Sequence, residues 1–191
     1  MNISIFGLGY VGCVTAGCLA RYGHRMTGVD INEAKVKMIE SGIPTIVERD
    51  INELIASGVS SGMISATVDA EEAVKKSDVS IICVGTPSGR EGHLDLSGIF
   101  QTAQEIGAAL KTKETFHTVL IRSTVPPGTN YKTGKIIEQV SGKTRNTDFA
   151  VVSNPEFLRE GSAVSDFMNP PYTVAGSDSE RGIEASRLVY S

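Results

Sequence analysis

A doubly wound α/β fold with a mostly parallel sheet is predicted by three observations. Strand-like and helix-like segments alternate along nearly all of the 191 residues, the pattern of a sheet covered by helices on both faces. The run Val79 to Val84 (VSIICV) is continuously apolar, as a strand buried on both faces must be. The chain also opens on an apolar run, Ile3 to Phe6, that passes through a glycine-rich turn, Gly7 to Gly12 (GLGYVG), into a helix-like stretch.

Taken in order, Val11 to Tyr22 reads as a helix rich in small residues and ended near Gly23, and Met26 to Val29 as the second strand. Asn32 is an N-cap for a helix carrying Ala34, Val36, Met38 and Ile39, stopped by Gly42 and Pro44. Asn52 to Ala56 predicts a short helix, Ile64 to Val68 a third strand and Ala70 to Lys76 a brief amphipathic helix. After the Val79–Val84 strand comes a polar loop, GTPSGREGHLD, too long for a simple connection and expected to lie over a site. Ile99 to Leu110 is helical, Thr118 to Arg122 is a strand, and STVPPGT separates it from a helix around Tyr131 to Val140. Phe149 to Ser153 is a further strand, NPEFLREG follows, and Tyr172 to Ala175 is read as the last strand before a helix from Ser179 onward. No repeat or low-complexity linker divides the chain, so residues 1–191 are expected to form one domain with extra β/α units at its C-terminal end.

The opening segment carries the dinucleotide-binding fingerprint of a Rossmann fold in its expected context: strand, glycine turn, helix, strand, acid. Gly7 permits the tight turn, Gly9 lets backbone approach a pyrophosphate, and Gly12 lets the helix pack close to the strand. The helix then offers unsatisfied N–H groups and its positive dipole end to the phosphates. Asp30, eighteen residues after Gly12, closes the second strand, where a carboxylate accepts from both ribose hydroxyls and repels a 2′-phosphate. The expected cofactor is therefore NAD rather than NADP. Lys35 is close enough in sequence to approach the ribose or phosphates, although such a lysine is more often a solvated one. The strand ends Val84-Gly85-Thr86-Pro87 and Arg122-Ser123-Thr124 fall at the carboxyl edge of the sheet, where ligands of open α/β folds bind.

Composition narrows the field. A net charge of −4 without a basic cluster argues against nucleic acid as a partner, and no apolar run approaches the length needed to span a membrane. The N-terminus enters a strand directly, with no export signal, and Cys13, Cys18 and Cys83 lack metal-site spacing and lie in apolar segments. They are expected to be reduced core thiols of a cytoplasmic protein with no metal site. Cys83 is placed in the middle of its strand, short of the carboxyl edge.

FGLGYVG, ICVGTPS followed by GHLDLS, RSTVPPGT and NPEFLREGSAVSDFMNP occur in this order, and together the chain resembles the UDP-glucose and GDP-mannose dehydrogenase family over essentially its whole length. The resemblance implies a four-electron oxidation of a nucleotide sugar, from primary alcohol to carboxylate, using two NAD and a cysteine nucleophile that carries a thioester. VSIICVGTPS, HLDLS, HTVLIRSTVPPGT and the SGK stretch near Lys143 look most like the members acting on GDP-mannose; UDP-glucose remains the alternative. It further implies that Tyr10, Val11, Asp30, Lys35, Thr86 and Thr124 contact NAD, that Thr124 helps place a catalytic water, and that Glu156 and Glu160 line the sugar end of the site. If Pro155 starts a helical turn, the two glutamates share one face as neighbouring carboxylates, an arrangement suited to a general base.

Two departures stand out. Family members usually carry Pro-Gly after the acid of the IVE segment, whereas Glu48 here precedes Arg49-Asp50. The family's nucleophilic cysteine, catalytic lysine and asparagine, dimer-forming helix and nucleotide-sugar domain all belong beyond Ser191. The chain is therefore expected to be the cofactor half of a homodimeric enzyme, binding NAD but turning nothing over alone. A methyltransferase is disfavoured by the full glycine motif, while a free-standing NAD-binding regulatory domain stays open.

Overall fold

The computed structural model describes residues 1–89 and 92–191. Six strands form one sheet: β1 (Asn2–Phe6), β2 (Arg25–Val29), β3 (Ile64–Thr67), β4 (Val79–Ile82), β5 (His117–Ile121) and β6 (Phe149–Ser153). Their order is β3-β2-β1-β4-β5-β6 and every pairing is parallel. The order reverses between β1 and β4, which opens a crevice at their carboxyl ends.

Strand periodicity sorts the core into two layers. Ile3 and Ile5 of β1, Ile81 of β4 and Leu120 of β5 face α1 (Tyr10–Arg21), α2 (Glu33–Glu40), α3 (Ile51–Ser60), α7 (Ala163–Met168) and α8 (Glu180–Val189). Phe6, Ile82, Val119 and Ile121 face α4 (Ala70–Lys76), α5 (Ser97–Leu110) and α6 (Thr129–Ser141). Helix α1 is buried from Gly12 to Ala20, which explains its small residues: it lies between the sheet and the outer helices α3 and α7. The Asn32 cap forms as predicted, its side chain accepting from the Ala34 N–H at 2.9 Å.

Two expectations are corrected, the strand at Tyr172–Ala175 and the placement of Cys83. Tyr172–Ala175 is not a strand; only Gly176 pairs with Ser153, through an isolated antiparallel bridge. Pro170 and Pro171 offer no N–H to continue a ladder, Tyr172 and Val174 point outward, and the Val174 carbonyl is taken by the Asn154 side chain at 2.8 Å. The GSAVSDFMNP stretch, to which the sequence assigned no element, holds α7, whose Ala163, Val164 and Phe167 are buried. Cys83 lies beyond the last residue of β4, at the carboxyl edge rather than mid-strand. The expected loop from Gly85 to Asp95 includes Arg90 and Glu91, which lie outside the described residues.

The Arg49-Asp50 departure has a visible consequence. Asp50 precedes α3 in the left-handed region, φ 64°, and its side chain makes no capping hydrogen bond. That conformation costs a residue with a Cβ about 1–2 kcal/mol, against about 0.5–1 kcal/mol of extra chain entropy lost by glycine. Asp50→Gly is expected to stabilise the fold by about 0.5–1 kcal/mol. A melting temperature equal to or below that of the parent would contradict this.

Candidate cofactor site

The carboxyl edge gathers the β1–α1 turn, the end of β2, and the loops after β4 and β5. In the turn, Gly7 adopts φ +94° and a Cβ there would lie 2.8 Å from the Cys83 carbonyl oxygen. Gly12 is tighter still: its Cβ would sit 1.8 Å from the Gly7 carbonyl oxygen. Gly9 is different, because a Cβ on it meets nothing within 4 Å. Gly7 and Gly12 are thus demanded by the fold, whereas Gly9 leaves open space in front of the first turn of α1. The Tyr10, Val11 and Gly12 amides have no acceptor among the described residues, the first intrahelical bond running from the Cys13 N–H to the Gly9 carbonyl at 2.9 Å. Free amides facing open space are what a pyrophosphate requires.

Asp30 closes β2 with its carboxylate nearly buried. It accepts from the Leu8 N–H at 2.7 Å and the Asn32 N–H at 2.9 Å, and Lys35 Nζ approaches it at 3.4 Å. The carboxylate therefore braces the glycine turn as well as facing the cleft. A carboxylate has about four acceptor positions, so capacity is left for a diol. The turn is held from the other side by Thr45, whose hydroxyl donates to the Leu8 carbonyl at 2.7 Å.

Gly7, Gly9, Asp30 and Lys35 line one cleft of about 570 Å³, closed by Val84, Gly85 and the α5 residues Gln101, Thr102 and Glu105. The α5 wall was not legible in sequence, since Gln101 and Glu105 read as an ordinary solvated helix face. Across the edge, the Thr86 hydroxyl donates to the Thr124 carbonyl at 2.9 Å, joining the two predicted strand-end threonines.

The two glutamates are arranged differently from the expectation. Residues 154–159 are not helical, so Glu156 and Glu160 do not share a helical face. Glu156 lines a separate pocket of about 200 Å³ with Arg122, Phe157, Tyr172 and Tyr190, and accepts from the Leu158 N–H at 2.5 Å. Glu160 is exposed and near enough to the Tyr10 hydroxyl for its charge to disfavour the phenolate. The loop is pinned by the forked pairing of Arg159 with Asp166, Nη2 to Oδ1 at 2.7 Å, which holds the Asp166 carboxyl well below the usual carboxylate range. Arg122 is buried with its guanidinium 5.2 Å from the Phe167 ring centre and donates to Tyr190 and Asn154 at 3.0 and 3.3 Å. Glu48 was missed as a contributor: it accepts from the Tyr10 hydroxyl and the Gly161 N–H. The IVE segment marked Glu48 only by the departure that follows it, and an acid in a loop gives no sign of its partners.

The three thiols are buried. Burial pushes Cys18 and Cys83 up to about 12 and raises Cys13 as well. None is a nucleophile at neutral pH, and for Cys83 the reason is burial beneath the glycine turn rather than distance from the edge.

Fold and cleft together define a dinucleotide-binding α/β domain. A family model described as the UDP-glucose/GDP-mannose dehydrogenase family, NAD binding domain, matches residues 1–191. The chain belongs to this family and is an NAD-binding domain of it. It is 49% identical over 191 residues to GDP-mannose 6-dehydrogenase of Pseudomonas syringae pv. syringae, covering 100% of this chain and 44% of the relative. It is 43% identical over 183 residues to UDP-glucose 6-dehydrogenase of Rhizobium meliloti (strain 1021), covering 95% of this chain and 40% of that one. A crystal structure of a ternary complex of GDP-mannose dehydrogenase from Pseudomonas aeruginosa superposes with a TM-score of 0.98 at 46% identity, over 100% of this chain and 44% of that chain. The chain thus spans less than half the length of these relatives. No described helix is long and apolar enough to cross a membrane.

Proposed function

We propose that residues 1–191 form the cofactor domain of an NAD-dependent nucleotide-sugar 6-dehydrogenase. Its substrate is GDP-mannose, oxidised by four electrons to GDP-mannuronate. The observation that carries this is the cleft at the carboxyl edge: unpaired α1 amides facing open space at Gly9, beside the Asp30 carboxylate. GDP-mannose is preferred because relatives of that activity are 47–50% identical and the UDP-glucose 6-dehydrogenase of Rhizobium meliloti 43%. UDP-glucose is the alternative substrate.

In this reading the amides of Tyr10, Val11 and Gly12 hold the pyrophosphate, and Asp30 with Lys35 holds the adenosine ribose. Thr86 and Thr124 meet the nicotinamide end. NAD accepts the hydride when bound there. Thr124 and Glu156 hold and deprotonate the water that completes the oxidation, and Glu160 orients the sugar. The thiolate that traps the aldehyde comes from outside these residues, since the three thiols present are buried. The complete enzyme is a homodimer working in the cytoplasm and supplying uronic acid units for polysaccharide synthesis. Neither nucleic acid nor a membrane is a partner.

The cofactor assignment is tested by titration calorimetry of this chain with NAD and NADP. The parent is expected to favour NAD, and Asp30→Asn to lose about 1.5–3 kcal/mol of NAD binding, tenfold or more, and to narrow the preference. Asparagine keeps an acceptor for the Leu8 N–H but turns its NH2 toward the Asn32 N–H, so a melting curve of the variant is needed to separate loss of charge from a loosened turn. Equal affinities of the parent for both cofactors would remove the assignment. NADH formation by the longer enzyme with each nucleotide sugar decides the substrate.

A further inference from the structure

The Glu48 carboxylate ties together three chain segments that are remote in sequence. Its Oε2 accepts from the Tyr10 hydroxyl and from the Gly161 N–H at 2.7 Å, and its Oε1 accepts from the Arg49 N–H at 2.9 Å. The Gly161 N–H also reaches the Tyr10 hydroxyl at 3.2 Å. Glu48 is 9% exposed and has no basic partner within 4 Å among the described residues, so its charge is met only by N–H and O–H donors. These donors lower the Glu48 carboxyl below its ordinary value, the Tyr10 hydroxyl contributing most.

The positions of the donors matter. Tyr10 is the first residue of α1 and carries one of the free amides in front of Gly9. The Gly161 N–H belongs to the peptide that joins Glu160 to Gly161, so whatever holds it fixes the plane of the Glu160 carbonyl and restrains the backbone that carries the Glu160 side chain. Glu48 is therefore bonded at once to the cofactor turn and to the segment bearing a candidate sugar-binding carboxylate, reinforcing the longer direct contact between the Tyr10 hydroxyl and the Gly161 N–H. It touches neither ligand in the proposed reading.

We propose that Glu48 is a positioning residue that couples NAD seating at the α1 N-terminus to the placement of the Glu160–Gly161 peptide. A pyrophosphate on the α1 amides restrains the first turn and with it the Tyr10 ring. The hydroxyl then holds Glu48, and Glu48 holds the Gly161 N–H. Coupling of this kind is reciprocal, so a sugar that engages Glu160 tightens NAD by the same factor. The inference rests on the NAD-domain reading above.

The test is site-resolved amide hydrogen exchange of the 191-residue chain with and without saturating NAD. In the parent, NAD is expected to slow exchange at Tyr10, Val11 and Gly12 and, in addition, to slow Gly161 about fivefold or more. Glu48→Ala removes both carboxylate oxygens, and with them the acceptor shared by the Tyr10 hydroxyl and the Gly161 N–H. It is expected to keep NAD protection at residues 10–12 while the NAD-induced protection of Gly161 falls to less than twofold. A purely structural Glu48 would lower the melting temperature of the variant yet leave the NAD-induced ratio at Gly161 as in the parent, and that outcome overturns the proposal. So does a parent whose residues 10–12 are protected while Gly161 is unchanged, a result that needs no variant to fold. Absence of protection at residues 10–12 in the parent would instead sink the cofactor reading, and the coupling with it.

Discussion

Gly12→Ala is expected to lower the stability of the chain by about 3 kcal/mol or more and to abolish detectable NAD binding. A Cβ at this position would stand 1.8 Å from the Gly7 carbonyl oxygen, a backbone atom fixed in turn by the Gly7 N–H bond to the Val29 carbonyl at 2.8 Å. Relief requires α1 to move away from β1, and α1 is buried along most of its length. For a domain of this size the melting temperature should fall by about 10 °C. Gly9→Ala is the control. It has φ −83° and nothing within 4 Å of its Cβ, so the fold should be within about 1 kcal/mol of the parent while NAD affinity drops about tenfold. Thermal unfolding and calorimetry on the two variants separate the roles. A Gly12→Ala chain melting within about 2 °C of the parent would show that the turn is not rigid.

The second large effect is acid instability centred on His117, far from the cofactor edge. His117 opens β5, is fully buried, and its Nε2 lies 2.8 Å from the Ser80 hydroxyl, itself 2.7 Å from that of Ser4. Burial, and then the charge of nearby Lys113, lower His117 to about 3 from an ordinary 6.5. The sign follows: below pH 6.5 the unfolded chain takes up a proton that the native chain refuses until pH 3. Stability from this group is complete above pH 6.5 and lost as the pH falls, reaching about 5 kcal/mol once both states are protonated. Urea unfolding of the parent and of His117→Gln between pH 6 and pH 4 isolates it. The parent should lose about 2.5 kcal/mol more than the variant over that interval. Glu48, Glu138, Asp166 and Asp178 have lowered carboxyls and also weaken the fold in acid, but equally in both proteins. Parallel stability curves would show that the native imidazole takes up its proton as readily as the unfolded one, because water reaches it.

The amino-acid sequence by itself determined the alternation of strands and helices, the glycine turn, the Asn32 cap and the acid that ends β2. Each of these is a local pattern: a period of two or 3.6, a residue with special backbone freedom, or an oxygen within three positions of the N–H it meets. The order of the six strands and the crevice at β1 and β4 are not contained in these local patterns; the tertiary structure supplies them, within the few topologies that parallel crossovers allow. Residue type misled where only long-range partners decide. Tyr172–Ala175 has strand-like composition, yet the prolines before it and the Asn154 amide across from it leave no ladder to join. Cys83 reads as mid-strand because its neighbours are apolar, but β4 ends at Ile82 and the glycine turn covers the thiol. Glu156 and Glu160 are four apart, a spacing that means one face only on a helix, and the loop is held open by Arg159–Asp166 instead. Glu48 is the plainest case. It is bonded to Gly161, 113 residues further on, and an isolated acid in a loop carries no mark of a partner that distant. Tertiary structure alone brought that carboxylate, the Tyr10 hydroxyl and the Gly161 amide together, because a buried charge without a cation is tolerable only where the fold delivers enough donors to surround it.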